Sequence, residues 1–169
     1  MKISSFFDRF LSPIERAKKR GVKMGKGCII AKSVDFGSEP YMVTIGDYFY
    51  SSDNIKFITH DGSVNVIRNL VKGYENADLI FPIKIGDNVF LGIDVVVLPG
   101  TVIGDNVIVG AKSLVKGKLE SNSVYAGIPA KYICSIEEYI DRNKEKFIFT
   151  KSYDSEKKKA FLLKELHNG

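Results

Sequence analysis

Residues 85–120 read IGDNVF LGIDVV VLPGTV IGDNVI VGAKSL VKGKLE, six consecutive units of six residues. An aliphatic residue opens each unit: Ile85, Leu91, Val97, Ile103, Val109 and Val115. Gly86, Gly92, Gly104 and Gly110 follow in four of them, and Val89, Val95, Thr101, Val107 and Ser113 hold the fifth position. The tetrapeptide IGDN recurs eighteen residues on, as Ile85–Asn88 and Ile103–Asn106. A period of six fits neither a helix of 3.6 residues per turn nor a long alternating strand. It fits a short strand and a turn, repeated, with the aliphatic side chain of each unit aimed at a common axis. Three units close one triangular coil, so residue i lies over residue i+18 in parallel pairing. The pattern therefore predicts a β-solenoid whose stacked aliphatic ladders are the core.

Outward from this stretch the beat is less regular. Toward the N-terminus it runs through Met24-Gly25, Ile30-Ala31 and Phe36-Gly37, slips by three residues in SEPYM (38–42), and resumes at Ile45-Gly46. Ser51 and Phe57 keep the frame, although Ser51 breaks the aliphatic rule. Ile45 and Ile85 are 40 residues apart, one coil of 18 plus 22, which places an inserted loop at residues 61–82. A long loop on a compact scaffold is commonly functional. Residues 1–23 read as a helical segment, apolar at Phe6, Phe7, Phe10, Leu11 and Ile14, with a capping box at Ser12-Pro13-Ile14-Glu15 and a stop at Gly21. The solenoid domain is assigned to 24–134. A helical tail follows at 135–169, opened by a second capping box, Ser135 to Glu138, with a further helix near 155–167.

Bulk properties narrow the function. The composition, 44% hydrophobic and 27% charged in 169 residues, is that of one globular domain. No apolar run approaches the roughly 20 residues that span a bilayer, and Asp8 and Arg9 interrupt any secretory h-region. Cys28 and Cys134 form neither a metal motif nor a disulfide framework, which points to a reducing cytoplasm. The net charge of +5 is concentrated in residues 1–23, with seven Lys/Arg against two acids. That surplus suits a solvated helix face, with weak membrane-surface contact through residues 1–20 as the alternative. No surface of interleaved bases and aromatics suggests nucleic acid.

Two histidines are present. His167 sits in the polar tail and reads as inert. His60 closes the last regular strand before the insertion, in Phe57-Ile58-Thr59-His60-Asp61-Gly62-Ser63. An imidazole rooted where the large loop leaves a rigid scaffold is a candidate general base. Asp61, adjacent in sequence, and Asp53-Asn54, about one coil face earlier, are candidate partners of the base or of its acceptor.

These residues resemble the hexapeptide-repeat acyltransferases, whose fold is a left-handed parallel β-helix, and within them the sugar, xenobiotic and capsular-polysaccharide O-acetyltransferases. The match covers roughly residues 24–134 and rests on the repeats, Ile58–Ser63, Pro82–Gly92 and AGIPAKYI (126–133). The resemblance implies acetyl-CoA as donor, a sugar or saccharide hydroxyl as acceptor, no metal, and a homotrimer with active sites between subunits. It implies that His60 deprotonates the acceptor. It further implies a cofactor track through Phe90 and Gly92, then Gly110, Ala111, Lys112 and Ser113, and finally Pro129 and Lys131, the lysine facing the 3′-phosphate. Phe90 stands where the family commonly has Trp.

Other readings are weaker. A zinc hydratase on this scaffold needs about three histidine ligands, and the chain has His60 and His167. A non-catalytic solenoid gives no reason for the 22-residue insertion. N-acetylation of an amino sugar, or acetylation of a xenobiotic, remains the alternative within the family.

Overall fold

The structure, a computed structural model, describes residues 11–166; Phe6, Phe7, Phe10 and His167 lie outside the described residues. Among the described residues, thirteen short strands wind into a triangular prism. The first face stacks β1 (Lys23–Met24), β2 (Val43–Ile45), β5 (Ile83–Ile85), β8 (Val102–Ile103) and β11 (Lys118–Leu119). The second stacks β3 (Tyr50–Ser51), β6 (Phe90–Leu91), β9 (Val107–Val109), β12 (Ser123–Ala126) and β13 (Lys131–Ser135). The third holds β4 (Lys56–Phe57), β7 (Val96–Val97) and β10 (Leu114–Val115). All pairings are parallel except that of β12 with β13, which folds back over the end of the second face.

The register follows the repeat. Ile85 pairs with Ile103, Leu91 with Val109 and Val97 with Val115, eighteen residues apart in each case. Ile45–Ile85, Ser51–Leu91 and Phe57–Val97 are 40 apart, so the 22-residue insertion leaves the ladders in step. Met24 pairs with Ile45 at a spacing of 21, because a 3-10 turn at Pro40–Met42 takes up the extra three residues of SEPYM. One expectation fails at the other end. Ile103 pairs with Leu119, sixteen residues on, so VKGKLE is a clipped unit turning at Gly117, φ +74°.

The inward side chains, among them Val43, Ile55, Ile83, Leu91, Val97 and Val109, are fully buried. Each buried aliphatic side chain contributes on the order of 1.5–3 kcal/mol. Ser51 is tolerated among them because its hydroxyl accepts from the Ala31 amide at 3.2 Å. Thr101 and Ser113 donate to Leu98 O and Gly110 O, both at 2.7 Å.

The corner between the first and second faces explains why IGDN repeats. Asn88, Asn106 and Asn122 adopt φ of 53–58°, a left-handed conformation that asparagine tolerates better than most residues. Their amides form a ladder, Asn88 Nδ2 to Asn106 Oδ1 and Asn106 Nδ2 to Asn122 Oδ1, at 2.8 Å each. Beside it Asp105 accepts from the Asp87 amide, and Asp87 from that of Asp47. A Cβ on Gly86 would stand 2.2 Å from Asp105 Oδ1 and 2.8 Å from the Gly104 carbonyl. Glycine is required there because the carboxylate ladder occupies the space.

α1 (Pro13–Lys19) and α3 (Ile136–Asn143) each start with the expected capping box, on Ser12 and Ser135. α4 (Ser155–Leu166) follows. The insertion differs from a plain loop, since it contains α2 (Val64–Leu70). Val64 buries itself, and Arg68 binds both Ala77 O and the Asp78 carboxylate, which folds the segment back on itself. No helix among the described residues is long and apolar enough to cross a membrane.

Candidate active site

The insertion leaves and re-enters the prism through a short antiparallel neck at the third corner, between β4 and β5. Asp61 N donates to Leu79 O and Phe81 N to Thr59 O, both at 2.8 Å, around a bridge between His60 and Ile80. His60 is thereby fixed at the root of the insertion, with its side chain about half exposed. Its Nδ1 lies 3.1 Å from Glu39 Oε2 and 3.2 Å from Ser38 Oγ. The same Glu39 oxygen accepts the hydroxyl of fully buried Thr59 at 2.7 Å. The Thr59 hydroxyl, aided by the imidazole and Ser38, holds the Glu39 carboxyl below its ordinary range despite partial burial. An ionised carboxylate only accepts, so Nδ1 carries the hydrogen and Nε2 is left with its lone pair.

The carboxylate paired with His60 is Glu39, which sequence reading did not single out. The signal was present in SEPYM. The coil containing that slip is 21 residues long, and Glu39 precedes His60 by 21 residues, so it stacks beneath it. Asp61, one of the candidate partners, instead accepts from its own loop at Ser63 N, 2.9 Å, and the Ser63 hydroxyl, followed by that amide, lowers its pKa. Asp53 accepts from Ser33 Oγ at 2.8 Å, and Asn54 Nδ2 donates to Asp94 at 3.1 Å. Both residues belong to the second corner, between β3 and β4, away from the neck.

The expected cofactor residues follow that second corner. Phe90 projects outward from β6, its ring 5.4 Å from that of Tyr50. A Cβ on Gly92 would stand 2.6 Å from Ala111 N, so the coils approach closely there. Ala111 and Lys112 are exposed above it, Lys112 with φ 57°. The Ser113 side chain is buried, donating to Gly110 O and accepting from Gly127 N, so that only its backbone could meet a ligand. Pro129 is exposed in the turn over the third face, where Ala130 N binds Leu114 O at 2.8 Å, and Lys131 is exposed at the start of β13 on the second face. The candidate base is at the third corner and the expected track runs mainly along the second, with the width of the third face between them.

Residues 82–117 match the bacterial transferase hexapeptide family (six repeats). The chain is 42% identical over 152 residues to Protein CapG of Staphylococcus aureus, covering 88% of this chain and 86% of that protein. It is 36% identical to the galactoside O-acetyltransferase of Escherichia coli K12 over 70% of this chain and 54% of that one. Among solved structures, a hexapeptide-repeat acetyltransferase of Vibrio cholerae superposes with a TM-score of 0.57 at 21% identity, over 75% of this chain and 82% of that one. A maltose O-acetyltransferase of Clostridium difficile gives 0.52 at 20%, over 79% and 78%. The chain belongs to the hexapeptide-repeat acyltransferases, and its prism is their left-handed β-helix. It is an enzyme of the acyltransferase class.

Proposed function

We propose that this protein transfers the acetyl group of acetyl-CoA to a hydroxyl of a sugar or polysaccharide, with His60 as general base. The observation that carries the reading is the Glu39–His60 pair at the root of the insertion. An alcohol attacks a thioester poorly until a base takes its proton in the transition state. Nε2 of His60 removes the acceptor proton, and the oxygen bonds to the thioester carbonyl carbon. The tetrahedral intermediate then collapses with cleavage of the C–S bond, and the departing thiolate takes the proton back from the imidazolium. The Glu39 carboxylate fixes the tautomer and stabilises the imidazolium between these steps.

Acetyl-CoA is the donor substrate. The small residues Gly92 and Ala111 let its arm approach the backbone, and Lys112 and Lys131 supply charge for its phosphates. Since His60 and this track occupy different corners of one prism, the reaction needs the base of one subunit beside the track of another. The working form is then a homotrimer, and free, buried Cys28 and Cys134 suit a reducing compartment such as the cytoplasm. The test is thiol release from acetyl-CoA with a panel of sugars. His60→Ala is expected to lower turnover of a true acceptor by about 10²–10⁴-fold. Turnover at the wild-type rate would refute the assignment.

A further inference from the structure

At the first corner the coils place Tyr48, Asn88, Asn106 and Asn122 in equivalent positions, all left-handed, φ 53–58°. Three of the four are asparagine, which that backbone suits. A tyrosine there is strained by on the order of 1–3 kcal/mol, and such strain concentrates at sites that bind or react. Tyr48 is nonetheless 57% exposed. Its ring lies over Gly27, where an added Cβ would stand 2.5 Å from ring carbon Cδ1. The ring is held in place while one side faces solvent.

It faces a groove of about 430 Å³ on the second face, lined by Tyr48, Tyr50, Phe90, the asparagine ladder and Ile136. That volume is in the range of ligand sites, roughly 300–1,000 Å³. No lining residue is charged, in a chain where 27% of residues are. Within the ladder each carboxamide uses part of its capacity of two donors and two acceptor lone pairs. Aromatic rings beside a row of amides, without charge, suit a ligand that offers C–H faces and hydroxyls together. They do not suit a phosphate or an acidic peptide, and Phe90 is shared with the expected cofactor track.

We propose that this groove binds a neutral saccharide segment of the acceptor, beyond the unit that is acetylated, with Tyr48 and Tyr50 as stacking platforms and Asn88, Asn106 and Asn122 as hydroxyl partners. The inference rests on the saccharide acyl-transfer reading for its context, and its test is independent of that reading. Tyr50 links the groove to a second hollow of about 350 Å³ bordered by Asp53 and Ile93, toward the cofactor corner. A glycan chain lying along the second face therefore reaches the edge where the donor is expected.

The test is saturation-transfer NMR and titration of the whole protein, without acetyl-CoA. The probes are maltohexaose and a β-galactan hexasaccharide, with hexagalacturonate as the charged counterpart. The neutral hexasaccharides are expected to bind, and the charged one more weakly. Tyr48→Asn, which restores the residue the corner favours, should weaken binding about tenfold while raising Tm by about 2–4 °C. Tyr50→Ala should weaken binding without that rise, and His60→Ala should bind like wild type. Absence of binding by either neutral probe overturns the proposal. So does a Tyr48→Asn variant that loses stability and keeps wild-type binding, because the ring would then be packing alone. Acetyl transfer to sugars that survives such a result would leave the transferase reading standing and the groove refuted. Binding without transfer would do the reverse.

Discussion

For the proposed base, Glu39 matters because a neutral imidazole can present either nitrogen and proton abstraction needs one of them free. Its carboxylate decides which, and Thr59 keeps it ionised. Glu39→Gln keeps the shape but lets the imidazole populate the other tautomer. It is expected to lower kcat by about 10–100-fold with the KM for acetyl-CoA unchanged, measured by thiol release. The same carboxyl has a folded-state pKa below its reference of 4.5. The folded state thus binds fewer protons than the unfolded chain in that range, so stability from this contact is present above about pH 4.5. It is lost as pH falls through the lower, folded value. Melting temperatures taken from pH 6 to 3 should decline less steeply for Glu39→Gln than for wild type. A parallel decline would mean that the carboxylate is not held as described. His60 was legible in the sequence because it punctuates the repeat. Glu39 was not, because its partner lies one coil away and the register slip had first to be counted as part of the coil length.

At the level of elements, the repeat was legible because one steric rule is imposed eighteen residues apart, again and again. The core ladders, the two capping boxes and the size of the insertion all followed from local pattern and arithmetic. What lacked a local pattern was less readable. α2 is stabilised by Arg68 reaching Ala77 and Asp78 across its own loop, and the clipped coil at Gly117 is set by where β11 must pair. The steric rule can be tested at Gly86. Alanine there displaces the Asp105 carboxylate from the Asp87 amide and crowds a backbone carbonyl. The expected loss is about 2–4 kcal/mol, seen as a Tm lower by about 5–10 °C. Gly62, with open space where its Cβ would be, is the control; Gly62→Ala should change stability by less than about 0.5 kcal/mol. Equal losses at both positions would show that the carboxylate ladder does not set the requirement, since the entropy of the unfolded chain favours alanine at both.

For the whole molecule, the separation of base and track is the property no single element contains. A triangular coil puts the third corner and the second on opposite edges of the third face, and no rotation of side chains closes that gap. The proposed transfer then requires assembly to bring the third corner of one copy to the second corner of the next, and this can be tested without a structure of the complex. Subunits carrying His60→Ala retain an intact track. Subunits carrying Ala111→Tyr retain the base but fill the edge above Gly92 where the donor arm would lie. Each variant alone should be nearly inactive. When equal amounts are unfolded and refolded together, a given interface takes its base from an Ala111→Tyr chain half the time and its track from a His60→Ala chain half the time. About one interface in four is then intact, so the mixture should recover about a quarter of wild-type turnover if assembly is random and the ring closed. Sites contained within single chains would recover nothing, since no chain in the mixture has both halves.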